Sequence, residues 1–528
     1  MRQPTISKTS FITGLQCPRA LWYRLQRPEE IPEPDRSTQA RFAMGNEVGD
    51  WSKRRFPGGV EVPWDRGPAA ACKETARLLA LRIPIYEATF RFASPYGPTL
   101  MRADILNPVG ADRWDLIEVK ATTRPKEVHV HDIAFQRYVA EGCGIQLRHC
   151  YVMHLDNSYL RQGPIDPKRL FQLSSIGAEV RSFLPEVEPA LERMSGALAL
   201  PEPPDVEVGP HCSSPYGCAL SSHCWDFLPE RNIFNLYRGG QVSWGFFEKG
   251  IYDRMDIPED TSLAANQNIQ LRADRTGEPQ VDVAAIRGFL DGLTYPLYFM
   301  DFETLNAPVP LFDGTWPYGQ VPFQYSVHVQ DTPCAKLRHY GFLADIQGGA
   351  TDPRPAFLEG LRDCLGDSGS IVVYNASFEK GRLREGADMY SEYRGWWEDN
   401  IEPRIVDLYA PFRRFAYYHP AQNGSASIKA VLPAITGKEG YAGMAIADGG
   451  TAASEYLRVH LGEVEPADKE RIRAALVEYC GLDTRGMADI LQALIPLAGR
   501  ACDVANSHCQ GTLPTTPTQT VLRGHPSP

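Results

Sequence analysis

The stretch that decides the fold is Tyr295-Pro-Leu-Tyr-Phe-Met-Asp-Phe-Glu-Thr304, an apolar run that ends in two carboxylates. Leu297 to Met300 predict a short buried strand, and because side chains alternate across a strand, Asp301 and Glu303 should point to the same face. Two carboxylates held together at the edge of a buried strand repel each other unless a cation neutralises them. The stretch therefore predicts a divalent-metal site, with a solvated strand end as the alternative.

Length and composition indicate a soluble multidomain protein. The chain has 528 residues, too many for one ordinary core, with 43% hydrophobic and 23% charged residues. A net charge of -11 neither indicates nor excludes nucleic-acid binding, because a basic groove can lie on an acidic protein. The N-terminal residues 1–11 are polar, and no apolar run reaches about 18 residues, so we expect a cytoplasmic protein without a membrane partner.

Strand-like and helical patterns alternate in both halves, which predicts an α/β fold. In the first half, strands are expected at 85–92, 99–106, 114–119 and 149–155, and helices at 40–55 and 132–141. In the second half, strands are expected at 324–329 and 371–374, and helices at 355–365, 379–387 and 467–494. The predicted domains are 1–226 and 295–500, joined by a mostly helical bridge at 227–294 and followed by a disordered tail at 501–528 that is rich in Thr, Pro and Gly.

Two further segments of the second half carry chemistry-bearing residues. A buried strand breaks at Asn375 in Tyr374-Asn-Ala-Ser-Phe-Glu379 and continues as a helix, which places Glu379 near the end of the strand. In Tyr479-Cys-Gly-Leu-Asp483 the i, i+4 spacing places Tyr479 and Asp483 on one helix face. Each segment alone also fits an ordinary strand-to-helix transition or a core aromatic beside solvent.

Together with Asp301-Phe-Glu303, these segments resemble the RNase H-like DEDD exonucleases, the DnaQ-like 3′ to 5′ family, in its tyrosine variant. The resemblance implies a site in which Asp301, Glu303 and Asp483 hold Mg²⁺ or Mn²⁺, Glu379 contributes to one ion, and Tyr479 orients the attacking water. The family's second motif normally ends in Asp, whereas this chain has Glu379. Asp407 and the segment Ser425-Ala-Ser-Ile-Lys429 are also similar to parts of the family between the second and third motifs.

The first half has a second set of carboxylates. Asp104 lies on one predicted strand, and Glu118-Val-Lys120 ends the next strand with Glu118 and Lys120 on a shared face. An Asp and a Glu can bind magnesium while a lysine stabilises charge on phosphate, although Glu-x-Lys also suits an exposed strand edge.

The order of Asp104, Glu118-x-Lys120 and then Gln136-Arg-Tyr138 resembles the PD-(D/E)XK nucleases, especially their RecB-like branch. The resemblance implies a restriction-endonuclease-like fold for the N-terminal domain and a second nuclease site. Two features depart from the branch: Glu47 stands where an upstream histidine ligand is usual, and Gln136 and Tyr138 are closer together than usual. Glu87 is another candidate ligand.

Three cysteines, Cys212, Cys218 and Cys224, follow at equal intervals of six. In a reducing compartment such spacing indicates a metal site, and zinc with His211 or His223 as fourth ligand is the simpler interpretation. The segment Cys17-Pro-Arg-Ala-Leu-Trp22 resembles the first cysteine of the iron–sulfur RecB-like nucleases, such as AddB and the CRISPR adaptation nucleases. That resemblance implies a structural 4Fe–4S cluster held by Cys17 and the three later cysteines. The other eight cysteines are interpreted as ordinary buried thiols.

The whole resembles a bacterial family that fuses these two modules. It implies a Mg²⁺- or Mn²⁺-dependent 3′ to 5′ exonuclease of DNA repair, recombination or defence, acting on single-stranded DNA or DNA ends. The N-terminal module would either cut as well or load single strands. Two alternatives remain open at this point: a nucleic-acid-binding scaffold whose catalytic sites have decayed, and a ribonuclease.

Overall fold

The structure is a computed structural model that describes residues 4–345, 351–462 and 464–500. The tail predicted at 501–528 lies outside these ranges. The chain divides into two compact units: unit 1 is Met1–Phe227 with Ala307–Gly319, and unit 2 is Leu228–Asn306 with Gln320–Pro528. Both are mixed α/β, as the sequence predicts. No helix in the described ranges has both the length and the apolar character that crossing a membrane would require.

Unit 1 is built on a seven-stranded mixed sheet. Its strands are β1 (Ile6–Ser7), β2 (Val60–Glu61), β3 (Ile85–Ser94), β4 (Gly97–Val109), β5 (Arg113–Lys120), β6 (Leu147–Leu155) and β7 (Phe171–Ser175). The order is β2-β3-β4-β5-β6-β7, and β1 pairs in parallel with β4. Neighbours β3, β4 and β5 are antiparallel, whereas β5 and β6 are parallel. The carboxylates predicted on β4 and β5 therefore lie on adjacent strands.

Nine helices accompany this sheet in the described part of unit 1. They are α1 (Lys8–Gln16), α2 (Pro18–Gln26), α3 (Arg36–Lys53), α4 (Pro68–Leu79), α5 (Glu127–Gly142), α6 (Pro167–Leu170), α7 (Gly177–Phe183), α8 (Val187–Leu198) and α9 (Ser221–Cys224). The Ser7 side chain accepts a hydrogen bond from the Ser10 backbone N–H and begins α1, as expected of a serine N-cap. Phe11 of α1 stacks on Phe135 of α5 with ring centroids 4.7 Å apart, which packs α1 against α5 in the core.

Unit 2 contains a five-stranded sheet and a two-stranded pair. Its strands are β8 (Gln280–Val281), β9 (Leu297–Leu305), β10 (Val321–Gln330), β11 (Arg338–Leu343), β12 (Ser370–Val373), β13 (Ile405–Asp407) and β14 (Tyr417–Tyr418). The large sheet has the order β11-β10-β9-β12-β13. Strands β11, β10 and β9 are antiparallel, and β9, β12 and β13 are parallel.

The helices of unit 2 include those of the predicted bridge. They are α10 (Gly240–Phe247), α11 (Ala265–Thr276), α12 (Val283–Asp291), α13 (Arg354–Cys364), α14 (Ala376–Met389), α15 (Tyr409–Arg413), α16 (Ile428–Thr436), α17 (Gly449–Leu461) and α18 (Pro466–Leu497). Residues 228–294, which contain α10 to α12, cluster with unit 2. The 32-residue α18 extends the predicted helix 467–494 by a few residues.

The central strand β9 corrects one detail of the sequence prediction. The carboxylates were expected where the strand ends, but β9 continues to Leu305 because β10 pairs with it along its whole length. Asp301 lies opposite Ser326 and Glu303 opposite Gln324. The two carboxylates therefore project from inside a paired strand, where the backbone holds their spacing.

Candidate functional site

The first candidate site lies on β9 of unit 2. Phe302, between the two carboxylates, is 3% exposed and packs in the core on one face of the sheet. Because side chains alternate along a strand, Asp301 and Glu303 both leave the opposite face. The predicted shared face is therefore confirmed.

Helix α18 brings the third carboxylate to that face. Two contacts fix the helix on the sheet: the Gln324 side-chain amide donates to the Leu476 carbonyl at 2.8 Å, and the Ser326 and Thr484 hydroxyls are 2.7 Å apart. Asp483 is 6% exposed, and one carboxylate oxygen from each of Asp301, Glu303 and Asp483 lies within 4.8 Å of the others. Among the described residues, this is the one group of His, Cys, Asp or Glu side chains that meets this spacing for a metal ion.

Burial and mutual repulsion make this group costly to ionise. Burial, followed by the charges of the neighbouring carboxylates, raises the pKa of Asp301 well above its ordinary value and that of Glu303 to about 8. Burial raises the pKa of Asp483 to about 6, although a hydrogen bond from Tyr441 and the charge of Lys429 oppose the shift. Close carboxylates that resist ionisation are stabilised in their charged form by a divalent cation.

Glu379 lies beside this group without joining it. The backbone turns at Asn375 with φ of 79°, and α14 begins immediately afterwards with Glu379 in its first turn. Glu379 is 3% exposed, its Oε2 has no hydrogen-bond partner, and burial raises its pKa to about 8. Its charge also raises the pKa of Asp301, so the two carboxylates are close. Glu379 is not part of the 4.8 Å group.

Asp407, which the resemblance had drawn attention to, has a supporting contact. Its Oδ1 accepts hydrogen bonds from the backbone N–H groups of Asn375 and Tyr409, both at 3.0 Å. The first of these bonds holds the left-handed turn that precedes α14. Asp407 therefore positions the segment that carries Glu379.

Tyr479 lies at the site with two residues that the sequence analysis did not assign. Tyr479 is 5% exposed, and its ring centroid is 6.1 Å from that of Tyr441. The Tyr441 hydroxyl donates a hydrogen bond to Asp483. The Lys429 ammonium lies 5.5 Å from the Tyr441 ring centroid and 5.7 Å from that of Tyr479. Its charge partly opposes the rise in the pKa of Glu303 that burial and Asp483 cause. Lys429 belonged to the segment Ser425–Lys429 noted above, whereas nothing in the sequence around Tyr441 indicated its role.

Gly449 and Cys480 lie close to the carboxylates and limit the space around them. A Cβ on Gly449, the first residue of α17, would lie 3.1 Å from Glu303 Oε2, so only glycine allows this close approach without a shift. The Cys480 thiol lies 3.8 Å from the Asp301 carbonyl oxygen and 3.9 Å from its Oδ2. Cys480 is buried, as predicted, and forms part of the wall of the site.

The second candidate site lies in unit 1 and gathers the predicted Asp104, Glu118 and Lys120. The Lys120 ammonium lies 2.7 Å from Glu118 Oε1, and the Val119 backbone N–H donates to Asp104 Oδ2 at 2.7 Å. Gln136 is also present, since its Nε2 donates to Glu118 Oε2 at 2.7 Å. The sequence prediction of one shared face is confirmed.

Two charged residues of this site were not foreseen. Asp132 of α5 accepts from Lys120 at 2.7 Å and from Gln136 at 3.0 Å, and Lys8 of α1 bonds to both oxygens of Glu118 at 2.8 and 3.0 Å. Asp132 could have been found from its i, i+4 relation to Gln136. Lys8 carries no such signal, because 110 residues separate it from Glu118.

The charges here shift pKa values in opposite directions. Burial, then the charge of Glu118, raises the pKa of Asp104 to about 7. Burial also opposes ionisation of Glu118, but the ion pairs with Lys120 and Lys8 outweigh it and lower its pKa. Glu118 is therefore an anion with its counter-ions in place.

Other residues suggested for this site lie elsewhere or act differently. The Tyr138 hydroxyl bonds to Glu188 at 3.0 Å and takes no part in the contacts around Glu118. Glu47 lines a surface pocket with Trp51, and its role as a ligand stays a prediction. Glu87 pairs with Arg102 at 3.1 Å, although its charge raises the pKa of Asp104.

The four predicted cluster cysteines meet in unit 1. They line one small cavity together with His211: Cys17, Cys212, Cys218 and Cys224. Burial and then the other three thiols raise the pKa of Cys218, as expected when sulfur atoms are close together. His211 Nε2 lies 3.7 Å from the Cys212 sulfur, whereas the His223 ring packs against Tyr23 at 6.4 Å.

Side chains on both sides of Cys17 hold the two cysteine segments together. The Gln16 amide donates to the carbonyls of His211 at 2.8 Å and Tyr216 at 2.7 Å. Arg19 donates to the Pro204 carbonyl at 3.0 Å and pairs with Asp205 at 2.7 Å. The convergence of Cys17 with the later segment therefore has support that does not depend on any bound group.

Comparison with known proteins gives one family and several distant relatives. The model of the family "Domain of unknown function (DUF2779)" matches residues 298–427, which include Asp301, Glu303 and Glu379 and end before Tyr441 and Asp483. The chain is 26% identical over 207 residues to "Uncharacterized protein MG366 homolog" of Mycoplasma pneumoniae, which covers 36% of this chain and 31% of that protein. It is 24% identical over 208 residues to "Uncharacterized protein MG366" of Mycoplasma genitalium, covering 37% and 31% respectively.

A third relative is "Uncharacterized protein UU173" of Ureaplasma parvum, 27% identical over 161 residues, with 29% of this chain and 23% of that protein covered. The chain spans less than a third of the length of each of these curated relatives. The comparisons therefore show a match to the DUF2779 model that begins on the strand with the paired carboxylates.

Proposed function

We propose that this protein is a cytoplasmic, metal-dependent nuclease whose unit 2 hydrolyses phosphodiester bonds of DNA as a 3′ to 5′ exonuclease. The observation that carries the proposal is the group formed by Asp301, Glu303 and Asp483, whose oxygens lie within 4.8 Å of one another. The polarity of cleavage and the role in repair, recombination or defence follow from the resemblance to the DEDD exonucleases.

The topology of unit 2 supports this proposal. Its sheet places three antiparallel strands before two parallel ones, with the carboxylate pair on the central strand β9. This is the arrangement expected of an RNase H-like domain. Helix α18 packs on the face of the sheet that carries Asp301 and Glu303. It supplies the last carboxylate, Asp483, in the chain order that the resemblance requires.

The donor set fits Mg²⁺ or Mn²⁺, because all three side chains offer carboxylate oxygen and these ions prefer oxygen ligands. A bound divalent ion would activate water and stabilise the charge that develops on the phosphate oxygens during in-line displacement. Water attacks phosphorus, the bond to the 3′ oxygen breaks, and a 5′-mononucleotide and a new 3′-hydroxyl result.

The chain's own residues divide the remaining tasks. Asp301, Glu303 and Asp483 would hold the ion, and Tyr441 fixes the orientation of Asp483 through its hydrogen bond. Tyr479, whose ring lies against Tyr441, is the candidate to orient the water. Glu379 keeps a buried oxygen without a partner beside Asp301, which suits a residue that completes its contacts only when an ion or its water is present.

The cysteine cavity of unit 1 supports a structural 4Fe–4S cluster rather than zinc. A single zinc ion with Zn–S bonds of about 2.3 Å would draw its sulfur ligands to within roughly 4 Å of one another. In the described residues, no three cysteine or histidine ligand atoms lie within 4.8 Å of one another, although the four cysteines line one cavity. A wider set of four thiolates is what a cluster of several metal atoms requires.

The test uses the purified full chain and 5′-labelled single-stranded DNA with Mg²⁺ or Mn²⁺. The wild-type chain should progressively shorten the labelled DNA strand from its 3′ end. Asp301→Ala should abolish this shortening, because a proposed metal ligand is lost. Asp468→Asn, an exposed carboxylate of α18 paired with Arg471, serves as the matched control and should keep full activity. Undiminished degradation by Asp301→Ala would place catalysis elsewhere.

Two further measurements define substrate and cofactor. RNA of the same sequence should be degraded more slowly than DNA, and faster degradation of RNA would favour the ribonuclease alternative. Protein purified without oxygen should be brown and should lose its visible absorption in Cys17→Ser. A colourless protein that contains one zinc ion would overturn the cluster assignment.

A further inference from the structure

Lys8 occupies the place where the first-half resemblance would put a metal ion. Its ammonium lies 2.8 and 3.0 Å from the two oxygens of Glu118 and 3.5 Å from Asp104 Oδ1. These are the two carboxylates that would share the ion. Lys8 is the first residue of α1, directly after β1, which pairs with β4, the strand of Asp104. The backbone therefore delivers the lysine to this position.

The carboxylate oxygens have other donors as well. Glu118 Oε1 also accepts from Lys120 at 2.7 Å, and its Oε2 accepts from Gln136 at 2.7 Å. Asp104 Oδ2 accepts the Val119 backbone N–H at 2.7 Å. Each oxygen of the pair thus faces a donor, and two ammonium groups supply the positive charge that one divalent ion would bring.

The spacing of Asp104, Glu118 and Asp132 also differs from that of the candidate metal site in unit 2. Among the described residues, Asp104, Glu118 and Asp132 do not form a group with ligand atoms within 4.8 Å, whereas the three carboxylates of unit 2 do. Asp132 therefore does not complete, with Asp104 and Glu118, a three-carboxylate group of the kind that unit 2 forms, and the Lys8 ammonium lies between Asp104 and Glu118.

We infer that Lys8 replaces the divalent metal in unit 1, so that Asp104 and Glu118 form a lysine-filled site that binds a metal ion only when Lys8 is removed. This inference goes beyond the proposed function, which assigns cleavage to unit 2. It follows that unit 1, as folded here, does not cleave DNA by metal-dependent chemistry.

A buried acceptor shows that the site retains capacity for a cation. Gln136 is 0% exposed, and its side-chain Oε1 has no hydrogen-bond partner, although its Nε2 bonds to Glu118 and Asp132. An orphan oxygen beside two carboxylates is costly in a purely structural network and useful in a cation site. Removing Lys8 should therefore leave a site with two carboxylates and an amide oxygen available.

Helix α1 gives Lys8 little freedom to withdraw. At the other end of the helix, Gln16 is held by the carbonyls of His211 and Tyr216. Between these ends, Phe11 is 0% exposed and stacked on Phe135. Because the helix is held in this way, an incoming ion would have to break the ion pairs of Lys8 with Glu118 and Asp104 to displace its ammonium.

Manganese binding tests the inference on the full chain. The background is Asp301→Ala with Asp483→Ala, which removes the site of unit 2, and free Mn²⁺ is followed by electron paramagnetic resonance. This background should show no specific Mn²⁺ site. Adding Lys8→Met should create one site that binds Mn²⁺ at least about tenfold more tightly than the nonspecific binding of the background chain, since the buried Glu118 and the half-buried Asp104 lose a counter-ion.

Two further variants make the result specific. Adding Glu118→Gln to the Lys8→Met chain should remove the new site. Lys53→Met is the matched control, because Lys53 is half-buried like Lys8 but bridges two exposed carboxylates, Asp50 at 2.9 Å and Glu61 at 2.8 Å, and its loss should create no site. One Mn²⁺ bound in the background chain and lost with Glu118→Gln would overturn the inference. Failure of a folded Lys8→Met chain to gain a site would also overturn it.

A measurement on the wild-type chain covers the case in which Lys8→Met does not fold. Reductive methylation followed by peptide mass spectrometry reports how accessible each lysine amine is. Lys8, whose side chain is 22% exposed, should be methylated more slowly than Lys438, whose side chain is 55% exposed, and the rate at Lys8 should not change when Mn²⁺ is added. An increase in Lys8 methylation with Mn²⁺ would show that the ion displaces the lysine and would overturn the inference.

Discussion

The candidate sites of the two units both contain Asp and Glu carboxylates, but among the described residues only the carboxylates of unit 1 form ion pairs with lysines. In unit 1, Glu118 is paired with two lysines, and these ion pairs lower its pKa. In unit 2, no ion pair to Asp301 or Glu303 occurs in the described part of the chain, and burial and repulsion raise the pKa of both. We therefore expect a counter-ion within the fold, rather than the carboxylates themselves, to decide which of the two sites binds a metal.

The largest expected change in the free energy of unfolding comes from removing the charge of Glu118. Glu118→Gln should destabilise the protein by about 3–5 kcal/mol, because Lys8 and Lys120 lose their shared buried partner. Urea denaturation in the presence of EDTA measures the change. Glu61→Gln, which breaks an exposed pair with Lys53, is the control and should change stability by less than about 1 kcal/mol. Similar stabilities for the two variants would show that the ion pairs of Glu118 stabilise unit 1 no more than an exposed pair does.

The pH dependence of stability should also differ between the carboxylates of unit 2 and Glu118 of unit 1. Burial raises the pKa of both Glu303 and Glu379 from the ordinary 4.5 to about 8. The folded state then holds protons that the unfolded chain releases, so stability without metal should fall as pH rises from about 5 to 8, by about 1.4 kcal/mol per pH unit for each such group. Glu118, with a lowered pKa, contributes stability that persists throughout this window and is lost only in acid.

Calorimetric unfolding between pH 5 and pH 8 in EDTA measures this fall, and added Mn²⁺ should reduce it because the ion stabilises the charged carboxylates. Stability that rises with pH in EDTA would contradict the shifts assigned to unit 2.

A neutral substitution in unit 2 should have the opposite sign to Glu118→Gln. Asp301→Asn should stabilise the metal-free protein by about 1–2 kcal/mol and should also abolish activity. Asn avoids the cost of keeping the Asp301 carboxyl protonated in the fold, where burial and the neighbouring carboxylates raise its pKa well above the ordinary value. Thermal unfolding in EDTA gives the stability, and the labelled-DNA assay gives the activity. Destabilisation by Asp301→Asn would mean that the carboxylate has a counter-ion after all.

The smallest effect is expected for the tyrosine that orients a proposed ligand. Tyr441→Phe removes the hydrogen bond to Asp483 and should lower kcat about tenfold while the chain stays folded. Because the same bond helps hold the pKa of Asp483 down, the pH profile of activity should also shift toward higher pH. Tyr390→Phe, which loses a hydrogen bond to Asp352 on another part of unit 2, is the control. An unchanged pH profile in Tyr441→Phe would exclude the positioning role.

Much of the carboxylate geometry could be predicted because it depends on local periodicity. The period of two along β9 placed Asp301 and Glu303 on one face, and the i, i+4 spacing placed Tyr479 beside Asp483. The strand was expected to end at the carboxylates because polar residues follow the apolar run. Pairing with β10 overrode that local signal and continued the strand to Leu305.

Residues that depend on long-range placement could not be predicted. Lys8 meets Glu118 across 110 residues, and Tyr441 meets Asp483 across 42, through loops whose path no sequence pattern specifies. The same limit applies to Glu379, since its distance from Asp301 depends on how α14 packs. Cys17 was the exception, because the resemblance to iron–sulfur nucleases supplied the long-range pairing that its own segment does not.

Helix α1 also has a consequence for the order in which the protein is made. Its C-terminal anchor joins Gln16 to Tyr216, 200 residues further along the chain. At typical synthesis rates the ribosome needs about 10–40 s to produce that length. For this time the first described helix has been translated but lacks both the segment with Cys212, Cys218 and Cys224 and, until β5 emerges, the Glu118 that receives Lys8. Helix α1 is therefore made well before the segment that anchors its C-terminal end, and a nascent-chain arrest before residue 212 should leave the Cys17 thiol open to alkylation.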